Sequence, residues 1–102
     1  MGRRQTVDNL ELNRWRSMPS AAVLESPLCG HAKLDPTFRP IQSQETRRWH
    51  VTIGGHVFEL LCTGQKFFDT RANKGGGGAI DLVMHLHGVD FKGAVQLLRQ
   101  SL

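Results

Sequence analysis

The sequence predicts an α+β domain, a three-stranded antiparallel sheet with helices before and after it, on three observations. Between Thr46 and Asp69 short apolar runs alternate with polar residues and are separated by Gly54-Gly55 and Thr63-Gly64. From Ala79 onward apolar residues recur at helical spacing. Four consecutive glycines, Gly75 to Gly78, join the two patterns.

The chain has 102 residues, enough for a single modest core. No apolar run approaches the roughly 20 residues needed to span a bilayer, and the Met-Gly-Arg-Arg start is not followed by an apolar signal segment. The expectation is a soluble, cytoplasmic protein with no membrane partner. Two cysteines, Cys29 and Cys62, make neither a disulfide framework nor a zinc set and read as reduced thiols. The net charge of +4 suits a polyanionic partner, and most of the excess lies in residues 1–50, where eight Lys or Arg face five acids.

In order along the chain, Met1 to Thr6 reads as a frayed basic terminus. Val7 to Ser17, with Leu10 and Trp15, carries a weak helical signal that Pro19 ends. Ser20 is placed to cap a second short helix through Leu24, closed by Pro27 and Gly30. His31 to Glu45 holds Pro36 and Pro40 without a period and reads as a long surface loop. The three strands follow as Trp49 to Ile53, Val57 to Cys62 and Lys66 to Asp69. Strand alternation sends Phe67 and Phe68 to opposite faces, so at most one of them is core on a one-sided sheet.

Ala79 to His87 predicts a helix with Gly88 as its C-cap, and Asp90 caps a last helix whose stripe is Phe91, Ala94, Val95, Leu98 and Leu102. An end at Leu102 in mid-pattern reads as a chain docked against, or continued by, something larger. The expected division is residues 1–45 as a helical segment with a long loop and 46–102 as the sheet domain.

Phe67-Phe68-Asp69, the glycines, Ile80-Asp81-Leu82-Val83-Met84-His85-Leu86 and Phe91-Lys92-Gly93-Ala94-Val95 together resemble the CHC-type zinc-binding domain of DnaG-like bacterial primases. They look still more like its zinc-free relatives in plasmid and conjugative-element proteins, often followed by a Toprim domain. The resemblance covers about residues 49–98. It implies a zinc-ribbon-like hairpin core and a single-stranded DNA-binding, template-recognition role in replication or conjugation. The family places a Cys-x-x-Cys pair where this chain has Phe67 to Arg71, and Cys29-Gly30-His31 has the wrong spacing, so no zinc or other cofactor is expected.

The candidate contact surface comprises Arg47, Arg48, Trp49, Lys66, Phe68, Arg71 and Lys74 with Gly75, Gly76 and Gly77. Aromatics interleaved with cations suit bases stacking on rings with phosphates alongside. Glycines before a helix N-terminus suit a phosphate cradle, or equally a plain flexible linker. Asp81 in the first helical turn reads as a capping carboxylate, Asp69 only distantly as a metal ligand. His85 and His87 do not share a helix face, and His85 reads as a hydrogen-bonded histidine beside the sheet. No catalytic constellation is assembled by spacing, so no enzymatic activity and no small-molecule substrate are expected of this chain alone. The alternatives are a docking module for a primase, polymerase or helicase, or the N-terminal piece of a Toprim primase.

Overall fold

Asp8 starts the first helix, α1 (Asn9–Arg16), by accepting the Glu11 amide at 2.8 Å, and α2 (Ser20–Leu24) follows directly after Pro19. In the computed structural model, which describes residues 8–101, five strands come next: β1 (His31–Leu34), β2 (Arg47–Ile53), β3 (His56–Thr63), β4 (Lys66–Asp69) and β5 (Lys74–Gly77). Helices α3 (Ala79–His87) and α4 (Phe91–Ser101) complete the chain. The strands form one antiparallel meander in the order β1-β2-β3-β4-β5. The general α+β class and the three central strands are as expected, but the sheet has five strands rather than three. The expected frayed terminus, Met1 to Thr6, and Leu102 lie outside the described residues.

The two additional strands lack the alternation that marks a strand locally. β1 falls inside the stretch read as a loop, and it exists because Ala32 and Leu34 pair with Val51 and Trp49 of β2. β5 is most of the glycine run itself, which is therefore an edge strand and not a loop. A Cβ on Gly76 would lie 3.0 Å from the Phe67 ring, and one on Gly75 would lie 3.1 Å from the Phe68 ring. The bare strand thus admits the neighbouring rings, one on each face of the sheet. Gly78 is required for another reason: its φ is +91°, and a Cβ there would sit 2.9 Å from the Arg16 backbone.

Alternation along β2, β3 and β4 sends Trp49, Val51, Phe58, Leu60, Cys62 and Phe67 to one face, where the helices cover them. Leu82 and Val83 of α3, Leu98 of α4, Trp15 of α1 and Val23 and Leu24 of α2 close the same core. Helices α1 and α2 therefore share one core with the sheet. Ser20 does not cap α2, because Pro19 takes the cap position. Instead the Ser20 amide donates to the Gly64 carbonyl at 2.8 Å and its hydroxyl to the Lys66 carbonyl at 3.2 Å, tying α2 to the β3–β4 turn.

The last two helices follow their end signals. Gly88 closes α3 in the left-handed conformation, and Asp90 accepts the Gly93 amide at 2.8 Å at the start of α4. Asp81 reaches back from the first turn of α3 to the Gly77 amide at 3.2 Å. In α4, Ala94, Val95 and Leu98 are buried as expected, while Phe91 at the head of the stripe is 41% exposed.

Candidate nucleic-acid interface

Among the described residues no helix lies on the second face of the sheet. Arg48, His50 and Thr52 from β2, Val57, Glu59 and Leu61 from β3, and Lys66 and Phe68 from β4 alternate onto it. One cross-strand row runs Arg48, Leu61, Phe68, Gly75.

The segment 35–46 borders this face and is held to it by charge. Asp35 accepts from the Thr37 hydroxyl at 2.6 Å and the Thr37 amide at 2.9 Å, meets the His50 ring at 3.0 Å and accepts from Arg48 Nε at 3.0 Å. The Thr37 hydroxyl first, then the His50 ring, hold its carboxyl well below the usual carboxylate range. Arg48 also lies 3.5 Å from Glu59 and 5.1 Å from the Phe38 ring centre, so two carboxylates and an aromatic face surround one guanidinium. Beside this network a groove of about 500 Å³ is lined by Gln42, Ser43, Thr46, Leu61, Lys66 and Phe68. An adjoining hollow of about 350 Å³ adds Phe38 and Ile41. Phe68 is 39% exposed and Ile41 91%.

The expected contact residues are divided between the two faces. Arg48, Lys66 and Phe68 share the open face, and Arg71 reaches over its end to Glu59 at 3.7 Å. Trp49 is 7% exposed on the helix-covered face and presents no ring for stacking. Arg47 folds onto its own neighbours, donating to the Gln44 and Thr46 carbonyls at 2.6 and 2.9 Å. Lys74 pairs with Asp69 and so stands on the helix side, and Gly75, Gly76 and Gly77 are edge strand rather than a cradle at the start of α3. Phe38, Ile41 and Leu61 join the open face unforeseen. For Phe38 and Ile41 the only sequence signal was two apolar side chains in an otherwise polar, proline-containing stretch, whereas Leu61 lies in the apolar run of the middle strand.

On the covered face, Asp69 is 3% exposed and accepts the Arg71 and Ala72 amides at 3.0 Å each and meets His85 Nε2 at 2.6 Å. Burial pushes its carboxyl up, but the Ala72 amide, the His85 ring and the Arg71 amide together outweigh it and leave it below the usual range. His85 in turn sits against the rings of Phe58 and Phe67, each 5.6 Å away between centres. The pair locks the β4–β5 turn to α3, which is the hydrogen-bonded role expected for His85. Burial pushes the thiols of Cys29 and Cys62 up to about 11 and about 12. Among the described residues no three or more His, Cys, Asp or Glu side chains converge as a metal site. Nor, among them, is any helix long and apolar enough to cross a membrane.

No family model matches the chain, and no solved structure matches it. Over 43 residues it is 54% identical to a protein of Zymomonas mobilis subsp. mobilis known as the 65 kDa protein. That similarity covers 42% of this chain and 7% of the relative, so the chain spans a small fraction of the relative's length.

Proposed function

We propose that this protein binds single-stranded DNA across the open face of its sheet, as an accessory module in replication or conjugation of the primase-associated kind that its sequence resembles. The observation that carries this reading is the exposed Phe68 ring on a helix-free face, with Lys66 beside it and a groove running toward Phe38 and Ile41. Bases stack on such rings irrespective of sequence, and cations at the rim follow the phosphates. Lys33 on β1 and Lys66 on β4 are exposed at opposite sides of the face, about the separation of a short run of nucleotides. Arg48 is already satisfied by Asp35 and Glu59; its task is to hold the 35–46 segment in place.

Titration of a labelled oligothymidylate at two salt concentrations tests the reading. Binding at low salt falls steeply with added salt, and Phe68→Ala weakens it by about tenfold, within the roughly 1–3 kcal/mol of one lost stacking contact. An absence of binding at low salt sinks the proposal and transfers the weight to a protein-docking role.

A further inference from the structure

We propose that the β5 edge accepts an extended acidic-apolar peptide as a sixth, antiparallel strand. The inference starts from the direction of backbone groups. The Gly78 amide donates to the Gln65 carbonyl at 2.8 Å, and the Gln65–Gly78, Phe67–Gly76 and Asp69–Lys74 positions therefore bond inward, toward β4. By the same alternation Gly75 and Gly77 direct their N–H and C=O outward. Asp81 already occupies the Gly77 amide. Among the described residues the Gly75 amide, the Gly75 carbonyl and the Gly77 carbonyl remain without a hydrogen-bond partner, on residues that are exposed. Natural edges are normally blunted by charge, proline or a bulge, and here glycines leave the backbone bare.

A strand laid on this edge finds a recess on each face. On the helix side a cleft of about 360 Å³ is lined by Phe67, Lys74, Asp81, Met84, His85 and Val89. On the open side Phe68 and Lys66 flank Gly75 and Gly77. Strand addition draws affinity from main-chain hydrogen bonds and selectivity from alternate side chains in such recesses. Apolar side chains suit Met84 and Val89, and acidic ones suit Lys66. The chain's own charge of +4 selects against a second copy as the occupant. Antiparallel self-pairing centred on Gly75 would also bring the two Lys74 side chains onto neighbouring positions of one face.

The test uses the intact chain and a fluorescent hexapeptide of three Asp-Val repeats, followed by anisotropy at low salt. Antiparallel pairing opposite Gly75 makes the aspartates both the open-face residues and the hydrogen-bonding ones. N-methylation of the three aspartates therefore weakens binding by about tenfold or more, as expected for two lost main-chain hydrogen bonds, whereas N-methylation of the three valines leaves it nearly unchanged. In amide NMR spectra of the protein the largest peptide-induced change falls on Gly75. Failure of the parent peptide to bind, or equal binding of both methylated versions, overturns the proposal. The oligonucleotide titration is read separately, so either proposal can fail while the other stands.

Discussion

The two faces of one sheet differ in what holds them. On the helix side, residues such as Val51, Leu60, Leu82 and Val83 are wholly buried, and the buried carboxylate of Asp69 has each of its contacts met at 3.0 Å or less. On the open side the partners are ion pairs of Arg48 with Asp35 and Glu59 and of Arg71 with Glu59, and a hydrogen bond between His50 and Asp35, with part-exposed apolar side chains between them. The first face is built to exclude water, where each missing methylene leaves a cavity. The second is built in contact with water, where charges are screened and each pair contributes little. Stability should therefore reside in the helix-covered face and binding in the open one.

The largest expected effect is on the covered face. Leu60→Ala leaves a cavity between sheet and helices and lowers unfolding stability by about 3 kcal/mol, read from urea denaturation. A similar loss from Leu61→Ala, one residue away on the open face, would break the comparison.

Next comes Asp69→Asn, which leaves donors facing an amide and costs about 2 kcal/mol. Because the folded carboxyl lies below its ordinary value of 3.8, its contribution is fully present above that value and is lost as pH falls through the lowered folded one. The variant accordingly flattens the acid limb of the stability curve below about pH 4. An unchanged acid limb would show that Asp69 does not supply it.

The thiols sharpen the contrast without a substitution. Burial pushes Cys29 and Cys62 to about 11 and about 12, so at pH 8 neither reacts with a disulfide reagent until the chain unfolds, and both then react. Rapid labelling of the native protein would mean that the covered face opens readily.

The smallest effect belongs to the open face. Phe68→Ala lowers stability by under about 1 kcal/mol, since the ring is already part-solvated, while it weakens oligonucleotide binding by about tenfold. A variant that lost stability and kept its binding would reverse the assignment of the two faces.

How much of this was legible depended on whether an element carries its own signal. α3 reads from Ala79 to Gly88 because periodicity, the first-turn Asp81 and the closing glycine all agree. The central strands read for the same reason. β1 and β5 did not, since His31–Leu34 has no clean alternation and glycines have no side chains to alternate. The candidate site was half legible. Phe68 follows from its alternation with Phe67, whereas Trp49, expected at the contact surface, shares parity with Val51, which is wholly buried. Phe38 and Ile41 came to the face through a segment whose path no local pattern specifies.

What the amino-acid order determined by itself is the set of elements whose hydrogen bonds and apolar period are local: α3, α4, the two hairpins of β2–β3–β4, and the opposition of Phe67 to Phe68. What only the tertiary structure decided is which face received the helices, that the tetraglycine run pairs as an edge, and that Asp35 fastens the 35–46 segment beside Phe68's face. The physical reason is the same in each case. These arrangements depend on partners far away in sequence, and a strand with no side chains has no preference of its own until two phenyl rings and a neighbouring backbone supply one.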